Sequence, residues 1–230
     1  MKKLLIAAAA LALMSGTAWA AENATVNSNG TGNSGSINQQ GNNEAAVIYQ
    51  GTSNPYSSGN SANIAQVGYL NQGATVIQNG SANAASVSQS AGVNNAGVNQ
   101  NGNNNGVGII QSFGTNSASV TQDASASYSS ASVTQAGSIF GGSNSATVNQ
   151  SDYNNAASVI QGLGNNTAFV TQGGGNGNRA GVVQGGLSDS ASVAQNGNAN
   201  QASVTQASLF PASANVAQTG NGNIHSVVQH

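Results

Sequence analysis

Cysteine is absent from this 230-residue chain, so neither a disulfide framework nor a thiolate metal site organises it. Charge is almost absent as well. Lys and Arg total three and Asp and Glu total five. Beyond residue 20 the basic residue is Arg179 alone, set against Glu22, Glu44, Asp123, Asp152 and Asp189. A basic face for nucleic acid is thereby excluded. Aromatics make up 4% of the residues and the prolines are two, Pro55 and Pro211, so an ordinary core of large side chains is not available. The two histidines, His225 and His230, both fall in the last six residues without convergent acidic partners. No acid–base pair or nucleophile constellation is present, so no catalytic residue, cofactor or metal is called for. Glycine runs such as Gly173–Gly175 lack the Lys-Ser/Thr of a phosphate loop and read as turns.

Long apolar runs are missing too, with one exception. Lys2 and Lys3 precede an apolar stretch from Leu4 to Met14, and Ala18-Trp19-Ala20 forms a small-x-small site. Residues 1–20 therefore read as a secretory signal peptide, and the mature chain is expected to be exported without membrane helices.

What remains is dominated by Asn, Gln, Ser, Ala and Gly, and it is periodic. A heptad Asn-x-Ala-x-Val-x-Gln recurs 17 times, usually every eleven residues, its clearest copy being Asn116 to Gln122. Two residues before the Gln stands Ile or Val in all 17 copies, and four before stands Ala in 14. Period-two alternation around a β-branched residue is a strand signal. Alternate side chains of a strand face opposite ways, so Asn, Ala, Val and Gln point inward and the small polar residues outward. The four residues between heptads are turn-formers, as in Asn79-Gly80-Ser81-Ala82. Irregular spacings put their extra residues in these turns, and both prolines lie there.

The fold class predicted is all-β: a β-solenoid, or cross-β stack, of about nine two-strand coils, each of about 22 residues built from 11-residue half-repeats. Residues 21–34 form a short N-terminal segment with a degenerate first half-repeat, Glu22-x-Ala24-x-Val26-x-Ser28, and residues 35–230 form the array as one domain. The core is assigned to Val76, Val87, Val98, Ile109, Val120, Val133, Val148, Val159, Val170, Val182, Val193, Val204, Val216 and Val227. Amides are expected to stack on their own kind one coil up. The ladder-forming asparagines are Asn83, Asn94, Asn105, Asn116, Asn144, Asn155, Asn166, Asn200 and Asn223; the glutamines are Gln89, Gln100, Gln111, Gln122, Gln150, Gln161, Gln172, Gln206 and Gln229. Asp123, Asp152 and Asp189 are candidate gatekeepers that slow aggregation by unpaired charge, or else solvated turn residues. Asp189 replaces an inward Asn, where a stacked carboxylate lacks an amide partner.

One unit cannot fold alone. Burying its Val is worth about 1.5–3 kcal/mol, whereas fixing each of eleven residues costs about 1–2 kcal/mol of backbone entropy. The array is expected to lack capping repeats, so both sheet edges would be templates for another copy, and head-to-tail addition that does not close grows a filament.

The arrangement Gln-x-Gly-x-x-Asn-x-Ala-x-x-x-Gln resembles the curlin repeat of bacterial curli amyloid. Gln78 to Gln89 and Gln195 to Gln206 match it fully. Gln100 to Gln111, with Val107 in the Ala position, and Gln218 to Gln229, with His225 there, come near. The resemblance implies a secreted fibre subunit for biofilm matrix, surface adhesion and cell aggregation. Its implied partners are itself, a nucleator subunit, an outer-membrane secretion pore and periplasmic chaperones. Scarcity of Lys and Arg resembles the major subunit; the alternatives are a minor nucleator-type subunit or a non-polymerising solenoid of adhesin or ice-binding type. An ice binder wants a regular outward row of Thr, and the residues before each Gln are irregular.

Overall fold

Strict alternation gives strands, and the strands coil. The computed structural model describes residues 22–52, 57–68, 70, 72–138 and 141–230; the signal-peptide assignment lies outside them. Eighteen strands form two nine-stranded parallel sheets. The first sheet holds β1 (Asn23–Ser28), β3 (Glu44–Gln50), β5 (Gln72–Gln78), β7 (Val93–Gln100), β9 (Thr115–Gln122), β11 (Ser143–Gln150), β13 (Thr167–Gly173), β15 (Ser190–Asn196) and β17 (Ser213–Thr219). The second holds β2 (Ser34–Gly41), β4 (Ser61–Gly68), β6 (Ala84–Ser90), β8 (Gly106–Ser112), β10 (Ser130–Ala136), β12 (Ala156–Gln161), β14 (Arg179–Gln184), β16 (Gln201–Gln206) and β18 (Ile224–Gln229). Consecutive strands alternate between sheets, so each pair makes one coil and each strand pairs with the strand two further on. This is a β-solenoid of about nine turns. The degenerate half-repeat is its first strand, β1, paired with β3.

The register is locked by identity. Val76 lies opposite Val98 and Gln78 opposite Gln100, and the same holds along both sheets. Turn length does not disturb it: Gln122 meets Gln150 across 28 residues and Gln150 meets Gln172 across 22. A one-residue slip would turn every Val outward, so inserted residues are confined to the turns. Pro211 lies in one of the enlarged turns, and Pro55 falls outside the described residues.

Between the sheets the heptad Val and Ile side chains are buried, with the Ala row beside them. Val227 is the exception among the assigned core residues. It sits on the edge strand β18 and is only half-buried, as are Ala24 and Val26 on β1.

Two local devices shape the turns from odd to even strands. The residue before each inward Asn adopts left-handed backbone even where it is not glycine, as at Ala82 (φ 55°), Asn104 (φ 56°) and Ala199 (φ 54°). At the third position of Gln-x-Gly the reason is different. A methyl group on Gly102 would overlap the carbonyl oxygen of Ala126 in the next coil, because the backbones stack there without room for a side chain. Gly108, which faces outward from β8, has open space where its side chain would be. Replacing Gly102 by Ala is therefore expected to cost well over ~1 kcal/mol in a denaturant titration, while Gly108→Ala is expected to stay within about 0.5 kcal/mol or to stabilise the chain.

Candidate assembly interface

The heptad places one Gln at the end of every strand from β2 onward, and in-register stacking brings them together as two columns. On the even strands Gln39, Gln66, Gln89, Gln111, Gln135, Gln161, Gln184, Gln206 and Gln229 form one chain of hydrogen bonds. On the odd strands Gln50, Gln78, Gln100, Gln122, Gln150, Gln172, Gln195 and Gln218 form the other. Each Nε2 donates to the Oε1 of the next coil toward the C-terminus; the Gln111–Gln135 bond is 2.8 Å and the Gln135–Gln161 bond 2.7 Å. The remaining amide proton crosses to the opposite sheet, as from Gln135 to the Ser117 carbonyl (2.9 Å) and from Gln172 to the Ala156 carbonyl (2.9 Å). One side chain thus ties coil to coil and sheet to sheet. Chains of amides polarise one another, which strengthens each link in a dry interior.

The asparagines act differently because they are one methylene shorter. On the even strands the Asn oxygen accepts a main-chain N–H from the next Asn position. Asn83 N–H donates to Asn60 Oδ1 (2.9 Å), Asn105 N–H to Asn83 Oδ1 (3.0 Å) and Asn200 N–H to Asn178 Oδ1 (3.0 Å). The Asn Nδ2 then donates to the turn of the coil above, Asn83 to Gly102 and Asn105 to Ala126. Ser129 stands in this column and passes it on through its hydroxyl, which accepts from Asn155 N–H (3.1 Å). Amide-to-amide bonds between asparagines join Asn116 to Asn94 (2.9 Å), Asn144 to Asn116 (3.2 Å) and Asn223 to Asn200 (3.0 Å). Asn166 continues the odd column by donating its N–H to Asn144 Oδ1 (3.3 Å). Asn60, Asn178 and Ser129 are members that the sequence reading left out; the spacing back from each Gln marks their positions.

The acidic residues are held in three ways. Asp189 is buried, and its carboxylate accepts main-chain N–H groups from Gly186 (3.1 Å) and Ala212 (3.3 Å). Its lack of an amide side-chain partner is made good by the backbone. Asp123 caps its own turn, accepting from the N–H of Ser125 and of Ala126. Asp152 accepts from Gly175 N–H in the next coil (3.0 Å).

At the N-terminal end the columns falter. Ser28 occupies the Gln position of β1 opposite Gln50, and the buried Gln50 Oε1 has no donor. Glu44 replaces the inward Asn of β3 and is buried without an amide side chain on its carboxyl. Burial pushes its pKa from 4.5 to about 7, the charge of Glu22 adds to the push, and the backbone at Gln40 and Gly68 works against it.

The described residues contain no cluster of His, Cys, Asp or Glu able to hold a metal. A family model, the curlin associated repeat, matches residues 102–137. The match runs across β8, β9 and β10 and includes Asn105, Gln111, Asn116, Gln122 and Gln135. Over that span the chain is similar to a curlin associated repeat. No curated protein and no solved structure matches it.

Truncating Gln135 to Ala strands a donor on Gln111, an acceptor on Gln161 and the Ser117 carbonyl. At about 1–3 kcal/mol for each orphaned group, it is expected to destabilise the chain by at least ~3 kcal/mol. The outward neighbour Thr134→Ala is expected to stay within about 0.5 kcal/mol; denaturant midpoints compare the two.

Glu44 yields a pH dependence of defined sign. Between pH 4.5 and about 7 the folded chain binds more protons than the unfolded one. The contribution of Glu44 to stability is therefore greatest below 4.5, falls as pH rises through that window and levels off above it. Glu44→Gln is expected to flatten the fall in denaturant midpoint.

Proposed function

We propose that the chain is a secreted structural subunit that assembles by templated head-to-tail stacking into extracellular curli-like amyloid fibres. The observation that carries this reading is the state of the two ends of the rod. β1 and β2 at one end, and β17 and β18 at the other, are sheet edges whose outer sides are unpaired among the described residues, with Val26 and Val227 only half-covered. Such edges are templates for pairing, and the near-absence of charge removes the usual defence against it.

The ends match. Setting β17 against β1 and β18 against β2 of the next copy continues both parallel sheets in register. Gln229 then meets Gln39 and carries the even column across the joint. The odd column stops there, because Gln218 meets Ser28. Addition of this kind is heterologous and open, so it grows a filament.

The curlin-associated repeat supports a fibre subunit, and the biological setting follows from the resemblance. We assign the chain to the cell surface, with roles in biofilm matrix, adhesion and cell aggregation, as a major rather than nucleating subunit. Residues 1–20 would direct export, and a nucleator, a secretion pore and periplasmic chaperones would be its partners. Asp123, Asp152 and Asp189 act as gatekeepers in this reading, their charges slowing premature stacking.

The test is growth of the purified chain from denaturant, followed by thioflavin fluorescence with and without sonicated seeds. A lag that seeds abolish, with filaments in the microscope, is the expected result. Asn200→Ala and Gln206→Ala are expected to slow seeded growth, and outward Ser203→Ala to leave it unchanged. A chain that orders at once and stays monomeric would replace the fibre subunit with a soluble solenoid.

A further inference from the structure

The two edges of the rod are chemically unlike. Turns from odd to even strands are rich in Asn, Gly, Ser and Ala and include Asp123 and Asp152; their exposed large side chains among the described residues are Tyr128 and Tyr153, which pack on each other one coil apart with ring centroids 5.2 Å from one another. Five turns from even to odd strands instead carry exposed apolar side chains: Leu70, Phe113, Leu163, Leu187, Leu209 and Phe210. Leu209 and Phe210 are 79% and 78% exposed, so the fold of a single rod gives them nothing to cover. Ile110, Ile160 and Val183 point outward from the ends of β8, β12 and β14, three or four residues before the turn residues, and widen the strip on the even sheet.

Two further observations make the strip more than scattered apolar residues. The turns are part of the axial hydrogen-bond pattern: Phe113 N–H donates to the Ser90 carbonyl and Leu187 N–H to the Ser208 carbonyl, each 3.2 Å and each between neighbouring coils. The backbone that carries these two side chains is thus tied into the stack. Phe113 also sits in left-handed backbone (φ 54°), where a bulky residue is strained and glycine would be free. The solenoid itself gains nothing from a phenylalanine there.

We propose that this edge is a lateral docking surface, and that its occupant is the same edge of a second filament of this chain. The proposal rests on the filament reading above. Three features select a second copy. An apolar row set on these five turns meets the same spacing, group for group, on another copy of the same edge. The edge carries no Lys or Arg, since Arg179 begins β14 at the opposite edge, so the attraction that draws proteins to anionic lipid is missing. Size also selects the polymer. From Leu70 to Leu209 the five turns span six coil spacings of about 4.8 Å, about 29 Å, or roughly 300 Å² if the strip is about 10 Å wide. A stable pair covers about 800 Å² per partner. One chain falls short and three joined chains exceed it, so pairing appears only after filaments have grown.

The experiment compares two multiple variants with the unchanged chain. One carries Leu163→Ser, Leu187→Ser, Leu209→Ser and Phe210→Ser on the apolar edge; the other carries Tyr128→Ser and Tyr153→Ser on the polar edge. Filaments are grown from seeds and their widths are measured by negative-stain microscopy, with low-speed pelleting as a second readout. The expected result is paired filaments for the unchanged chain and the polar-edge variant, and loss of pairing with unchanged seeded growth for the apolar-edge variant. Paired filaments in all three would overturn the proposal while leaving the fibre reading intact. Unpaired filaments throughout, with the unchanged chain binding phosphatidylcholine/phosphatidylglycerol vesicles and the apolar-edge variant failing to, would reassign the strip to lipid and overturn it too. A chain that forms no filaments at all would overturn the fibre reading and this proposal together.

Discussion

Everything in this solenoid depends on the stacked glutamine amide. A rod made of Ala, Val, Ser, Asn and Gly has little apolar area to bury, so the interior is held by hydrogen bonds placed where water cannot reach them. Gln supplies the reach. From the end of a strand its amide spans one coil to the next amide and still has a proton for the opposite sheet, as Gln135 shows with Gln161 and Ser117. The arrangement is unforgiving, because each amide satisfies its neighbours and none can be removed singly. That is why the Gln position stays fixed while turn lengths vary.

The same bond has a direction, and direction gives the rod its polarity. Every Gln donates toward the C-terminal end, so the ends are chemically different though their sheets match. At the N-terminal end the pattern is incomplete: Ser28 leaves Gln50 Oε1 without a donor and Glu44 puts a buried carboxyl in an Asn position. These irregularities collect in the first coils, and the remaining coils repeat with few departures.

Much of this was legible in the heptad. Alternation around Val gave the strands, the 11-residue spacing gave two strands per coil, and Glu22-x-Ala24-x-Val26-x-Ser28 gave the first strand despite its missing Gln. Positions in the columns were legible for the same reason, but bonding partners were not. Asn and Gln look alike in a repeat, yet the shorter Asn reaches main-chain groups where Gln reaches the next amide, and Asp189 finds two backbone donors that only the turn geometry brings to it. The apolar edge was hidden by turn length. Phe113 and Leu163 stand two residues after their Gln, Leu187 and Leu209 three and Leu70 four, so no fixed offset marks the row. Folding aligns what the numbering scatters.

The proposed stacking of coiled chains into a fibre is tested most directly by mass per unit length of isolated filaments. Nine coils at about 4.8 Å put one chain in every roughly 43 Å of a single filament, or two where filaments pair. A flat, in-register stack of extended chains puts one in every roughly 4.8 Å, about nine times as much mass per length. A value near one or two chains per nine coils is the result a stacked solenoid requires, and a value near the ninefold figure would contradict it.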